Sequence, residues 1–240
     1  MKSILLIGLG RFGRHMAQKF NEMNHDVLAV DINEDRVNEV LPLVTNAQIG
    51  DSTNEQFIAS LGVRDFDLCV VAIGDNFQSS LETTALLKDY GARFVLARAN
   101  RDVHAKFLLR NGADDVVYPE KQMAIRSAVR FGSDNVFDYI ELTADHSIYE
   151  TTVPESWLGK SIVQLAVRQK YHISILATKR GEVLEPLPKP EHVFESDETI
   201  RRIFLLGMNQ SRSCLTSSTL PSAALIRYSY SIPPCLNSTS

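Results

Sequence analysis

Apolar runs alternate with amphipathic stretches through the first half of the chain. The apolar runs lie at residues 3–7, 27–30, 47–49, 68–73, 94–97 and 115–118. The helical patterns between them cover residues 14–23, 33–41, a segment that carries Phe57, Ile58 and Leu61, a segment that ends at Tyr90, and residues 102–110. Asn33 is the expected cap of the second of these helices, and Ser52 or Thr53 that of the third. Continuous apolar runs are typical of parallel strands that are covered on both faces. Six strands alternating with five helices predict an α/β domain with a doubly wound parallel sheet over residues 1–119.

The pattern changes after the sixth apolar run. Two helical pieces, at 121–131 and 134–139, predict a helical crossover or dimer arm over residues 120–140. Beyond them, strands are predicted at 148–153, 173–178 and 203–206, a helix at 161–170, and a proline-containing loop over 186–190. These elements favour a second, smaller α+β domain over residues 141–207. Residues 208–240 contain no acidic residue and no sustained period, so we expect this segment to be largely disordered.

The first apolar run leads directly into a glycine motif. Gly8, Gly10 and Gly13 form Gly-x-Gly-x-x-Gly ahead of a helical pattern. The first glycine permits a tight turn, the second lets the backbone approach a pyrophosphate, and the third lets helix and strand pack closely. The helix that follows offers free N–H groups and the positive end of its dipole to phosphates. By itself the motif is weak, because three glycines after a strand often form only a turn.

An acidic residue strengthens the nucleotide interpretation. Asp31 ends the second apolar run, about 20 residues beyond the glycine motif, where a carboxylate accepts hydrogen bonds from ribose hydroxyls. No arginine follows Asp31 directly, which argues against a 2′-phosphate. The sequence therefore predicts that a dinucleotide or another adenine nucleotide binds to this Rossmann-like domain.

Other polar residues stand at the predicted carboxyl ends of the strands, where ligands bind in such sheets. Asp51 suits an adenine amino group, or alternatively the cap of the next helix. Arg98 suits a phosphate, or alternatively a surface ion pair. Arg11, inside the glycine loop, suits the phosphates of its own nucleotide or those of a neighbouring protomer. Glu120 suits a cation beside the phosphates, or alternatively the acidic start of a helix.

Composition and charge exclude several classes of protein. The 240 residues include 25 basic and 29 acidic side chains, so the formal net charge is −4 and nucleic acid is not an expected partner. We see no signal peptide, and no run approaches the ~18 apolar residues of a membrane span, so we expect a cytoplasmic protein. The three cysteines are scattered, which argues against a zinc site or a disulfide framework.

The sequence offers little support for catalysis. The six histidines occur singly, without acid–base or metal-binding spacing. No Ser, Cys or Lys lies in a recognisable nucleophile motif. We therefore expect that the chain is not an enzyme. The alternative is an NAD-dependent oxidoreductase acting on a small substrate, and a further possibility is a nucleotide-binding module with another partner.

Several stretches together resemble the RCK family, the regulators of potassium conductance, in the form of the cytosolic subunits of Ktr/Trk-type potassium uptake systems. The matching stretches of the first domain are 7–13, 28–37, 50–53, 71–74, 112–114 and 118–121. Those of the second domain are 158–162 and 167–171. The resemblance extends from the start of the chain to about Gly207. Beyond that point the sequence departs from the family, and a shifted reading frame would produce such a tail.

The resemblance implies a binding site for ATP, ADP or NAD(H), without turnover. The residues implied are Gly8, Leu9, Gly10, Arg11, Phe12, Gly13, Asp31, Asn33, Asp51, Ser52, Ala72, Ile73, Arg98 and Glu120. In this assignment the glycine loop cradles phosphates, Asp31 takes the ribose, and Asp51 lies near the adenine. Arg98 and Glu120 serve the phosphate end, where Glu120 is also the candidate ligand of a divalent cation.

The resemblance also implies partners and a second ligand. The helical crossover would swap between protomers of a homodimer, and the dimers would form an octameric ring on the cytoplasmic side of a membrane-embedded potassium pore. In some relatives the C-terminal domain binds cyclic di-AMP. The matching positions here are Ile162, Arg168, Ile175 and Pro188, although these residues equally suit a plain core beside a surface ion pair.

Overall fold

The computed structural model describes residues 1–143 and 146–205. The contacts between residues divide the chain into two compact units, the first unit (Met1–Gln122) and the second unit, which begins at Met123. The predicted tail 208–240 and the last residue of the predicted strand 203–206 lie outside the described residues.

The first unit is an α/β sandwich. Its strands are β1 (Ser3–Ile7), β2 (Asp26–Asp31), β3 (Asn46–Ile49), β4 (Leu68–Val71), β5 (Val95–Arg98) and β6 (Asp115–Val117). Its helices are α1 (Arg11–Glu22), α2 (Glu34–Val40), α3 (Glu55–Ser60), α4 (Phe77–Asp89) and α5 (Asp102–Arg110). The strands form one parallel sheet in the order β3-β2-β1-β4-β5-β6. The predicted doubly wound sheet is therefore confirmed, and its order reverses between β1 and β4.

Burial on both faces of the sheet explains the continuous apolar runs. Along β1, Ile4 and Leu6 pack into one cluster with residues of α1 and α2, whereas Leu5 and Ile7 pack into a second cluster with residues of α3, α4 and α5. All four side chains are at most 2% exposed. A strand with helices on both sides has no face that water can reach, so its sequence does not alternate.

The second unit is a smaller α+β domain, as predicted. Helix α6 (Pro119–Phe131) spans the division between the units. The remaining elements are β7 (Val136–Thr143), β8 (His146–Thr152), α7 (Ile162–Leu165), α8 (Val167–Tyr171), β9 (Ile173–Arg180), β10 (Val183–Pro186) and β11 (Glu198–Leu205). The strands form an antiparallel sheet in the order β10-β9-β11-β8-β7. Short 3₁₀ turns lie at Leu41–Leu43, Val63–Asp65 and Glu155–Trp157.

The predicted second helical piece of the crossover is wrong. Residues 134–139 do not form a helix, because β7 begins at Val136 and pairs with β8. Aromatic and β-branched residues favour a strand here, and Tyr139 lies against Tyr149 of β8 with ring centroids 5.1 Å apart. The segment after α6 thus belongs to the sheet of the second unit, and the domain-swapped dimer arm stays a prediction.

The predicted helix 161–170 is interrupted. It forms two short helices, α7 and α8, because Ala166 adopts the left-handed conformation with φ 47°. In a continuous helix, Leu165 and Val167 would point about 200° apart. The break lets both side chains enter one apolar cluster with Trp157.

Two further boundaries differ from the prediction. Strand β11 begins at Glu198, five residues before the predicted strand. Pro186 ends the edge strand β10 rather than lying in a loop, a position that an edge strand tolerates because its outer N–H groups need no partner.

Candidate functional site

The glycine loop joins β1 to α1 and leaves one side of its backbone open. Gly8 has φ +95°, and a Cβ placed on Gly13 would lie 1.9 Å from the carbonyl oxygen of Gly8. These two glycines are therefore required by the packing of the loop itself. A Cβ placed on Gly10 would meet no atom of the described chain within 4 Å. The space beside Gly10 is thus open. The packing roles inferred for Gly8 and Gly13 agree with this geometry, and the approach of a pyrophosphate to Gly10 stays a prediction.

The N-terminus of α1 begins at this open position. Gly10 is the N-cap residue, has no side chain to satisfy the first amides, and is followed by a first turn without an acidic residue. The positive end of the helix dipole consequently faces the open side of the loop. Such an arrangement suits an anionic group, and the binding of a pyrophosphate beside Gly10 stays a prediction.

Asp31, which lies at the end of β2, is bound to the glycine loop directly. Its Oδ2 accepts a hydrogen bond from the backbone N–H of Leu9 at 2.6 Å, and its Oδ1 accepts one from the backbone N–H of Asn33 at 2.9 Å. The carboxylate is buried, with the residue 6% exposed. Asp31 therefore shapes the loop, and its contact with a ribose stays a prediction. The sequence reasoning did not foresee this structural role.

Sequence reasoning also missed a positively charged side chain beside Asp31. Arg36 Nη1 lies 3.6 Å from Asp31 Oδ2. Its backbone N–H donates to Asn33 Oδ1, which caps α2 as the sequence suggested. The sequence argument considered only an arginine that directly follows Asp31. Arg36 is five residues further along, and the first turn of α2 brings its side chain back to the end of β2.

Arg98 lies at the end of β5, against the turn that follows β4. A Cβ placed on Gly74 would be 2.5 Å from Arg98 Nη1, so any other residue there would require this guanidinium to shift. Arg98 also lies over the ring of Phe12 at 5.6 Å. Its Nη2 donates to Glu120, while its buried Nε has no hydrogen-bond partner among the described residues. Arg98 thus forms the ion pair that was one of its two sequence interpretations. The other interpretation, a contact with phosphate, stays a prediction that the unsatisfied Nε donor supports.

The Arg98–Glu120 pair is partly accessible to water. The side chain of Arg98 is 17% exposed and that of Glu120 is 57% exposed. Partial burial acts to raise the pKa of Glu120. The opposing effects are larger and lower the pKa: hydrogen bonds to its own backbone and to Arg98, and the positive charges of Arg98 and Arg11. Glu120 is therefore anionic at neutral pH. Among residues 1–143 and 146–205, no group of three or more His, Cys, Asp or Glu could hold a metal ion, and the cation at Glu120 stays a prediction.

Other predicted residues occupy the adjoining strand ends. Ile73 lies beside the glycine loop, since a Cβ on Gly8 would be 3.0 Å from its backbone nitrogen; the same Cβ would be 3.1 Å from the carbonyl carbon of Ala72. Asp51 accepts hydrogen bonds from the backbone N–H and the hydroxyl of Thr53, at 2.9 and 2.7 Å. It does not cap the next helix, and its adenine contact stays a prediction.

The expected cap of α3 at Ser52 or Thr53 is wrong. Asn54 caps this helix by accepting from the backbone N–H of Phe57 at 3.2 Å. Ser52 is buried instead, with its hydroxyl 2.8 Å from that of Thr83.

The predicted second-ligand residues lie in the second unit, in different environments. Ile162 and Ile175 pack against the apolar cluster around Trp157, whereas Arg168 is exposed and Pro188 is half-buried. An open groove of about 400 Å³ in this unit includes none of these four residues. The core interpretation therefore holds for the two isoleucines, and cyclic di-AMP binding stays a prediction.

Comparison with known proteins establishes the fold first. Residues 4–119 match the family model of the TrkA-N domain. The fold resembles that of the GsuK RCK domain, with a TM-score of 0.60, 19% identity, and coverage of 85% of this chain and 45% of that chain. The GsuK channel bound to NAD gives the same TM-score of 0.60 and the same identity of 19%, covering 85% of this chain and 37% of that one.

A closer relative defines the family. The Ktr system potassium uptake protein C of Bacillus subtilis (strain 168) is 40% identical over 199 residues, which cover 83% of this chain and 90% of the relative. The chain belongs to the family of Ktr system potassium uptake proteins, and the RCK resemblance is confirmed. This is a family of potassium transport proteins and not of enzymes, so the oxidoreductase alternative is wrong. No helix within residues 1–143 and 146–205 has the length and apolar character needed to cross a bilayer.

Proposed function

We propose that this chain is the nucleotide-binding regulatory subunit of a potassium uptake system, in which ATP and ADP compete for the cleft of the first unit. The observation that carries the proposal is the open side of Gly10 at the uncapped start of α1. Asp31 and Arg98 flank the same loop, the first through Leu9 and the second through Phe12. This arrangement offers an acceptor for ribose hydroxyls and donors for phosphates in one place. NAD(H) fits the same donor set, and a GsuK channel with this fold was solved bound to NAD.

The Arg98–Glu120 pair provides a physical basis for distinguishing ATP from ADP. A phosphate that reaches Arg98 competes with the Glu120 carboxylate for the same guanidinium. The additional phosphate of ATP increases that competition. A ligand shifts a conformational equilibrium only by its difference in affinity for the two states. We therefore infer that ATP breaks the Arg98–Glu120 pair and that ADP leaves it intact. The two nucleotides would then favour different conformations of the subunit.

The family resemblance supports a proposal for the partners. The subunit binds a separate membrane-embedded potassium pore and is held at the inner face of the membrane through it. Homodimers assemble into an octameric ring, and the shape of the ring controls the pore. The purified chain is expected to give the mass of an oligomer by light scattering; a monomer at all concentrations would contradict the ring.

The direct test measures binding and shape together. Titration calorimetry with ATP, ADP and NADH measures affinity, and sedimentation velocity measures the hydrodynamic size of each complex. We expect ATP and ADP to give different sedimentation coefficients. Arg98→Gln should reduce the difference between ATP and ADP in both measurements. Arg93→Gln is the matched control, because Arg93 pairs with Asp67 on the exposed surface of the same unit. Absence of binding heat with all three nucleotides would refute the proposed function.

We retain cyclic di-AMP as a proposed second ligand, on the family resemblance alone. Arg168 is exposed and therefore available to a phosphate. Arg168→Gln should abolish binding of cyclic di-AMP and leave ATP affinity unchanged. Equal binding of cyclic di-AMP by the variant and the unaltered chain would exclude Arg168 from the site.

A further inference from the structure

A set of buried polar side chains is carried by α4 and α5. Ser80, Thr83 and Thr84 of α4 and His104 of α5 are all 0% exposed. Burying polar groups is costly unless each one is hydrogen-bonded. An apolar residue at position 104 would fill the same space without that requirement. The presence of histidine there calls for an account of its hydrogen bonds.

The geometry determines the direction of the hydrogen bond between His104 and Asn100. Asn100 Nδ2 donates to the carbonyl oxygen of Gly74 at 2.8 Å, so the other amide atom, Oδ1, faces His104. His104 Nδ1 lies 3.2 Å from that oxygen, which can only accept, and Nδ1 therefore carries the proton. His104 Nε2 lies 3.3 Å from the hydroxyl of Ser80, which can donate to a neutral imidazole or accept from a charged one. In its neutral form the imidazole is therefore the Nδ1–H tautomer, whose Nε2 accepts from Ser80.

The surroundings of His104 favour the neutral form. Burial lowers its pKa, and the charge of Arg101 lowers it further. The ring of Phe77 covers the imidazole, with centroids 4.9 Å apart. The neutral ring donates to Asn100 through Nδ1 and accepts from Ser80 through Nε2.

The chain of bonds ends at the candidate nucleotide cleft. Gly74 is the residue against which the Arg98 guanidinium packs. The preceding residue, Ile73, lies against Gly8 of the glycine loop. Asn100 itself is exposed, so water competes for its bond to the Gly74 carbonyl. His104 supplies a second anchor that prevents the amide from rotating away.

We propose that His104 is a positioning residue of the nucleotide cleft: it orients Asn100, and Asn100 holds the Gly74 turn that seats Arg98. The inference rests on the proposed nucleotide-binding function. It assigns a role in nucleotide affinity to a residue that is not expected to contact the nucleotide. His104 acts only through Asn100. Removing either residue should therefore have the same effect on nucleotide affinity, and removing both should have no greater effect.

A double-mutant cycle tests this mechanism on the full chain. ATP affinity is measured by calorimetry and stability by thermal unfolding, for His104→Phe, Asn100→Ala and the double variant. We expect each variant to raise the Kd for ATP about fivefold, corresponding to the loss of one hydrogen bond, and the double variant to match Asn100→Ala. Thr84→Val is the matched control: Thr84 donates to the carbonyl of Ser80 and is equally buried, so its loss should lower the Tm and leave the Kd unchanged.

Two conservative variants test the tautomer. The side-chain amide of asparagine places a donor near the position of Nδ1, so His104→Asn should bring the Kd to within about twofold of the unaltered chain. His104→Gln places its amide near Nε2 and should behave like His104→Phe. Equal rescue by both variants, or rescue by glutamine alone, would overturn the assigned tautomer.

The remaining outcomes separate the two proposals. If the unaltered chain binds no nucleotide, the proposed function fails, and the positioning role fails with it. If the unaltered chain binds ATP and His104→Phe binds it equally well, only the positioning role fails. Additive effects of His104→Phe and Asn100→Ala would also overturn the role, because they would show that His104 does not act through Asn100.

Discussion

Two glycines of the glycine motif should respond differently to the same substitution. Gly13→Ala places a methyl group 1.9 Å from the carbonyl oxygen of Gly8, and the backbone atom it meets cannot rotate away. Gly10→Ala places a methyl group where no described atom lies within 4 Å, on a residue with φ −64° and ψ −172° that alanine adopts readily. The first change therefore disturbs the fold, and the second fills the space left for the ligand.

The magnitudes follow from these geometries. Overpacking typically costs about 1–3 kcal/mol, and the backbone contact places Gly13→Ala at the upper end of that range. The gain in helix propensity from glycine to alanine offsets about 1 kcal/mol, because Gly13 lies within α1. A net loss of about 2 kcal/mol should lower the Tm of a unit of this size by roughly 10 °C. Gly10→Ala should change the free energy of unfolding by less than about 0.5 kcal/mol.

The assay pairs thermal unfolding with ATP titration for both variants. Gly10→Ala should retain the Tm of the unaltered chain and lose at least about tenfold in ATP affinity, since the methyl group excludes the pyrophosphate from the loop. The reasoning is refuted if Gly10→Ala binds ATP like the unaltered chain. It is equally refuted if Gly13→Ala is as stable as Gly10→Ala.

Three further predictions concern other parts of the molecule. Asp31→Asn should weaken ATP, ADP and NADH binding alike by about tenfold in calorimetry, because the amide replaces an acceptor for the ribose; loss of affinity for only one nucleotide would contradict a shared ribose contact. Because burial lowers the pKa of His104 from 6.5, the unfolded chain binds the proton more readily, and the free energy of unfolding should fall as the pH drops below 6.5. Urea unfolding should show this loss in the unaltered chain and a smaller loss in His104→Phe; equal slopes would refute the assignment. Phe194 is 1% exposed and lies beside Trp157, so Phe194→Ala should lower the free energy of unfolding by about 3–5 kcal/mol. Val193 is 46% exposed, and Val193→Ala should lower it by less than about 0.5 kcal/mol. Equal losses of stability in calorimetric unfolding would contradict the packing.

The places where sequence reasoning failed share one physical cause. Residues 134–139 carry a pattern that fits a helix or a strand over so short a length, and pairing with β8 decides between them. Ala166 is a good helix former, yet the cluster around Trp157 favours a break because it buries both Leu165 and Val167. Asn54, rather than Ser52, caps α3 because the hydroxyl of Ser52 is engaged by Thr83. In each case a contact distant in sequence outweighs a local preference.

The sequence by itself determined the alternation of apolar strands and helices in the first unit, the glycine loop, and Asp31 at the next strand end. The glycine motif and Asp31 are recognised from their spacing along the chain. The strands are recognised because burial on both faces of the sheet produces continuous apolar runs. Only the tertiary structure decided which side chains meet Arg98, why Asp31 also holds the loop, and how His104 reaches Gly74 through Asn100. Those contacts join residues on different elements, and the distances between such residues are set by packing rather than by position along the chain.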